Sequence, residues 1–104
     1  MKKFKTYDLA VNFYRQSQLL QLRGDARDQL HRAARSIVLN LAEGRGKRTK
    51  ADQLRFFHIA MGSLRECQAV LELEQLENTP ANAVLHELGG ALYVLIKNAI
   101  KPPL

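Results

Sequence analysis

From Thr49 to Glu77 the apolar residues fall on two helical stripes, not one. Leu54, Phe57, Met61, Leu64 and Leu71 recur at three- and four-residue steps. Beside them run Phe56, Ile59, Ser63, Cys67 and Val70, in which only Ser63 is polar. A helix that is apolar on two sides has to be covered on two sides. The chain has 104 residues, enough for one domain, residues 1–104, with a thin margin of core. A doubly apolar helix is then either central in the fold or shared with another subunit. Four helices leave no fully central position, so the pattern predicts an oligomer.

Three further helices follow from the same periodicity. The first, about Thr6 to Leu20, presents Phe4, Tyr7, Ala10, Val11 and Tyr14 on one face. Gly24 offers a left-handed turn after it, and Asp25 offers an N-cap. The second helix, about Ala26 to Glu43, buries Leu30, Ala34, Ile37 and Leu41. Val38, Leu39 and Ala42 lie outside that stripe and are also apolar. Gly44 and Gly46 are expected to end it. Thr49, with Asp52 three residues on, opens the third helix in the manner of a capping box, and that helix is expected to reach about Glu77, roughly 42 Å. Thr79-Pro80 starts the fourth, whose apolar face is Leu85, Leu88, Leu92, Leu95 and Ala99. Gly89-Gly90 inside it suggests close helix approach or a bend, and Pro102-Pro103 stops it. The fold class is all-α, an antiparallel up-down-up-down four-helix bundle.

That topology gathers charge. The N-terminus, the turn between helices two and three, and the C-terminus share one end, bringing together Lys2, Lys3, Lys5, Arg45, Lys47, Arg48, Lys50, Lys97 and Lys101. Asp8, Glu43 and Asp52 stand against them. Glu72, Glu74, Glu77 and Glu87 are expected at the other end. With a formal net charge of +6, the composition favours an anionic partner such as an RNA or DNA backbone. The single Cys67 permits no internal disulfide, which suits a reducing cytoplasm. MKKFKTYD has no apolar run behind its lysines, so neither a signal peptide nor a membrane span is expected.

Arg32, Ser36, Asn40 and Glu43 fall within one narrow strip of helix two. The strip is either the wet face of the helix or half of a polar network between helices or subunits. In the second reading Arg32 pairs bidentately with Glu43 or Glu66, and Asn40 and Ser63 fill the remaining donors and acceptors. Asn40→Ala or Glu66→Ala should then disrupt assembly.

Arrangements for catalysis are not matched. His31, His58 and His86 have no Glu three residues before them, so the paired Glu-x-x-His of di-iron bundles is missing. One cysteine and three scattered histidines do not make a zinc site. Cys67, on an apolar stripe, reads as packing. Arg27 precedes His31 by four residues and Arg55 precedes His58 by three, neither of them the spacing of helical Arg…His ribonucleases. Gly44-Arg45-Gly46-Lys47 lacks the Walker spacing of a phosphate loop. No enzyme, cofactor or metal is expected.

Two motifs in register carry a resemblance. Arg32-Ala33-Ala34, Ser36-Ile37, Asn40 and Ala42-Glu43-Gly44 resemble the core motif of the small four-helix-bundle proteins first found in intervening sequences of bacterial large-subunit ribosomal RNA. Arg55-Phe56-Phe57, Ile59-Ala60 and Gly62-Ser63-Leu64-Arg65-Glu66 resemble its second motif. The likeness covers roughly residues 29 to 67; Val38 stands where most relatives have proline. The family includes accessory subunits of diversity-generating retroelements, which form homopentamers that bind a reverse transcriptase and RNA. The resemblance thus implies a pentameric ring and a non-catalytic RNA-binding scaffold, in its most specific form an accessory subunit of a retroelement reverse transcriptase. The alternative is a structural or protein-interaction bundle with no nucleic-acid role. A third reading, weaker still, is an RNA-processing enzyme.

Overall fold

Four helices, α1 (Lys5–Gln18), α2 (Gly24–Arg45), α3 (Lys50–Leu73) and α4 (Pro80–Ala99), account for most of residues 4–100, which the computed structural model describes. Two threonines start two of them. The Thr49 hydroxyl accepts the Asp52 backbone N–H at 3.1 Å, opening α3. The Thr79 hydroxyl accepts the Asn82 N–H at 3.3 Å and donates to the Leu76 carbonyl at 2.7 Å, with Pro80 in the first turn of α4. Each satisfies a donor that a helix start leaves orphaned.

The other boundaries differ from expectation, each for a local reason. Asp25 does not cap α2: the helix begins at Gly24, Arg23 holds the cap position, and no side chain bonds there. Gly24 does take the left-handed turn, at φ +57°, and Asp25 instead places its charge in the first turn, where the helix dipole favours an anion. Gly44 lies inside α2, not at its end. Gly46 is the C-cap with a right-handed φ of −82°. Helix α3 stops at Leu73, short of Glu77, because Gln75 turns left-handed at φ 59°. The Gln75 N–H then bonds the Glu72 carbonyl at 3.1 Å and the Leu76 N–H the Leu71 carbonyl at 2.8 Å. This is a Schellman closure with glutamine in the place usually held by glycine. Gly89-Gly90 marks no tight crossing: a Cβ on Gly89 would sit 3.7 Å from Leu64, and one on Gly90 would meet nothing within 4 Å.

Each helix packs on its neighbours in sequence, α4 closes on α1, and the diagonal pairs stay apart. The core runs through Ala10 and Phe13, Leu30, Ala34, Ile37 and Leu41, Phe57, Ala60, Leu64 and Leu71, and Leu85, Leu88 and Leu92. On α1 the buried line is Thr6, Ala10, Phe13 and Ser17. Tyr7, Val11 and Tyr14 flank it half-buried, so Phe13, absent from the face read in sequence, is the helix's main anchor. The two stripes of α3 also resolve. The first faces the core and α4, while Cys67 and Val70 of the second are buried on the α2 side. A square bundle gives every helix two partners, and this widens the apolar sector each can bury. Exposed apolar side chains nonetheless remain, among them Ile59 (45%) and the terminal Leu73 on α3 and Leu39 (52%) on α2.

Candidate nucleic-acid interface

Alternating chain direction brings the start of α1, the α2–α3 turn and the end of α4 to one end of the bundle. One cleft is lined jointly by Phe4, Arg45, Gln53, Phe57, Leu95, Asn98 and Ala99, so these segments meet physically. Of the cations predicted there, Lys5, Arg45, Lys47, Arg48, Lys50 and Lys97 are described, and all but the half-buried Lys47 are exposed. Lys2, Lys3 and Lys101 lie outside the described residues. Glu43 pairs with Lys47 at 3.6 Å across one helical turn. The molecule extends 47 Å along its long axis. Glu72, Glu74 and Glu77, at and just beyond the α3 end, are thus separated from the cations by several Debye lengths of ~10 Å at 0.1 M salt, and they screen little of their field. Glu87 does not join them: from mid-α4 it shares a groove with Lys5, Thr6 and Leu9 at the start of α1.

Aromatic rings are interleaved with these charges, a feature the sequence reading missed. The Arg45 guanidinium lies 4.9 Å from the Phe4 ring centroid. Phe56 carries the Lys47 ammonium at 5.2 Å and the Arg55 guanidinium at 4.7 Å, within cation–π reach. The adjacency of Arg55 and Phe56 in the chain was the available signal. Arg55 belongs to this surface although the turn-centred reading omitted it.

The polar strip of α2 faces α3. Arg32 Nη2 approaches Glu66 Oε1 at 3.4 Å, with side chains 70% and 44% exposed. The contact is single, not bidentate, and an ion pair this wet adds little stability. The Ser36 and Ser63 hydroxyls are hydrogen-bonded to each other at 2.7 Å. Asn40 Nδ2 donates back along its own helix to the Ser36 carbonyl at 2.9 Å and to Ser36 Oγ at 3.1 Å. Glu43 stands apart from this group, held by Lys47. The network therefore stitches α2 to α3 within one chain.

Cys67 is fully buried, and desolvation, with the Glu66 carboxylate adding to it, pushes its thiol up to about 12. Such a thiol stays protonated near neutrality and packs as a small apolar group. Among the described residues no three His, Cys, Asp or Glu side chains converge as metal ligands do. No described helix is long and apolar enough to cross a membrane.

Residues 3–96 match the model of the 23S rRNA-intervening sequence protein family. The chain belongs to that family. The match extends well beyond the two motifs on α2 and α3, taking in α1 and most of α4. Among solved structures, this 23S rRNA-intervening sequence family chain is similar to a protein of unknown function from the S23 ribosomal protein family of Bacteroides thetaiotaomicron VPI-5482. The two are 24% identical with a TM-score of 0.79, over 89% of this chain and 96% of that one. At that identity the likeness speaks to the four-helix fold. No curated protein matches the chain.

Proposed function

We propose that this member of the 23S rRNA-intervening sequence protein family is a non-catalytic, nucleic-acid-binding scaffold. The observation that carries the reading is the collection of Lys5, Arg45, Lys47, Arg48, Lys50 and Lys97 at one end of the bundle, with Phe4 and Phe56 among them. Cations on that end neutralise phosphates, giving affinity that is sequence-tolerant and salt-sensitive. A homo-oligomeric ring, a pentamer by the family resemblance, would repeat the basic end around one rim and multiply its field. The most specific form of the proposal is an accessory subunit that holds a retroelement reverse transcriptase and its RNA together in the cytoplasm.

Fluorescence anisotropy of a structured RNA across a salt series tests the proposal. Binding should weaken steeply with salt and vanish when Arg45, Lys47, Arg48 and Lys50 are all changed to Glu. No binding at low salt would sink it.

A protein partner is the second reading, favoured by one groove. Between α3 and α4, Met61, Tyr93, Ile96 and Ile100 line an open cleft with His58, Arg65 and Lys97, and Tyr93 and Ile100 are more than half exposed. An interaction module would bind an apolar protein surface there, and its binding would depend little on salt.

A further inference from the structure

The cleft at the basic end has a shape that phosphate binding does not need. Its volume is about 400 Å³, within the range of roughly 300–1,000 Å³ typical of small-ligand sites. The Phe57 ring, only 3% exposed, forms the floor. Phe4, Leu95 and Ala99 give it apolar walls. The chemistry at its mouth is different. Gln53 donates Nε2 to the Lys47 carbonyl at 3.2 Å, which fixes the carboxamide and leaves its oxygen as an acceptor. Asn98 adds a second carboxamide from the last turn of α4. The Arg45 guanidinium, 4.9 Å from the Phe4 centroid, extends the aromatic wall with a flat cation.

An apolar slot with aromatic walls and two carboxamides at its rim matches a heteroaromatic ring whose edge carries both donors and acceptors. Lys47, Arg48 and Lys50, in the turn beside Arg45, supply the charge that a backbone attached to such a ring would need. We infer that this cleft receives one unpaired base of a single-stranded nucleic acid, whose flanking phosphates lie on the α2–α3 turn. The inference rests on the nucleic-acid reading above and names its ligand. A duplex keeps its bases stacked and paired, so it offers the cations its phosphates and the cleft nothing.

The probe is a fully abasic oligonucleotide strand, compared with the same strand bearing a single 2-aminopurine. Base–aromatic stacking is worth ~1–3 kcal/mol per base, so the base-bearing strand should bind about 5- to 150-fold tighter, with its fluorescence quenched on binding. Ala99→Phe, which fills the slot, should abolish that difference and the quenching while leaving the affinity of the abasic strand and its salt slope unchanged. If Ala99→Phe loses helicity by circular dichroism, Asn98→Ala at an exposed position carries the test, with a smaller loss confined to the base-bearing strand. Equal affinity of the two strands for the wild type overturns the cleft and leaves the basic-end reading standing. Failure of both strands and of the structured RNA to bind at low salt overturns the two together.

Discussion

A Cβ added to Gly44 would lie 2.6 Å from Cε1 and 2.9 Å from Cδ1 of Phe57, and 3.1 Å from Cβ of Phe56. Phe57 is held in the core and cannot swing away without opening it. The glycine lets α2 and α3 converge beside their connecting turn. Gly90, in mid-α4, has nothing within 4 Å of the same position. Identical substitutions should therefore move stability in opposite directions. Gly90→Ala should gain ~1 kcal/mol from helix propensity. Gly44→Ala has the same propensity gain but overpacks the seam, at a cost of ~1–3 kcal/mol for a well-packed site, more where backbone and ring both must shift. Thermal melts followed by circular dichroism separate the cases, since 1 kcal/mol moves Tm by about 4–8 °C in a domain of this size. A higher Tm for Gly44→Ala would show that the Phe57 ring yields freely. In sequence Gly44 reads as the end of its helix and Gly90, with Gly89, as a close approach or a bend. Neither breaks its helix, because spacing along the chain does not reveal what faces a missing side chain.

At the scale of elements, what the sequence made legible follows from how each signal works. Apolar stripes and the threonine caps act locally, so the existence of all four helices and the starts of α3 and α4 could be read from residues a few positions apart. The end of α3 could not. Glutamine at a left-handed φ carries no compositional mark, and the closure depends on Leu76 docking against the core, a contact made through space. The second stripe of α3 was legible as apolar but not as to its partner, since α2 covers much of it. The candidate site divides the same way. Its cations were visible from topology, whereas the rings of Phe4 and Phe56 beside Arg45, Lys47 and Arg55 emerged only when the end was assembled. The α3 terminus also yields a measurable consequence. Left-handed geometry costs a non-glycine residue ~1–2 kcal/mol, and part of the relief is offset by the freer unfolded chain of glycine. Gln75→Gly should thus raise stability by roughly 0.5–1 kcal/mol, seen as a higher denaturant midpoint at unchanged m. A lower midpoint would mean that the glutamine side chain, not the backbone turn, holds the α3–α4 connection.

For the whole molecule the open question is what covers the outer faces of α2 and α3. Most apolar side chains outside the core stripes are absorbed within the chain: Val38 packs beside the core, and Cys67 and Val70 are buried. Leu39 and Ile59 are not. Ala42, Gly62 and Ala69 are exposed on the same two helices, so a neighbouring backbone could approach closely there. If the proposed ring forms through this face, Leu39→Glu with Ile59→Glu should convert the assembly to monomers in native mass spectrometry. Because both side chains are about half exposed in the single chain, helicity and Tm of the monomer should change little. Glu66→Ala is the companion variant. Its exposed contact with Arg32 adds little to one chain, so a lost oligomer would place that pair at the subunit boundary. RNA affinity provides the second readout. A ring presents several basic ends to one backbone, so dissociating it should weaken binding, and Glu66→Ala, which adds no acid one turn from Arg55, separates loss of the ring from the local charge of the Ile59→Glu carboxylate. An oligomer that survives both variants uses another face, with the α3–α4 groove around Tyr93 and Ile100 the next to change. A wild-type chain that is monomeric at working concentration removes the ring, and the basic end must then bind as a single copy.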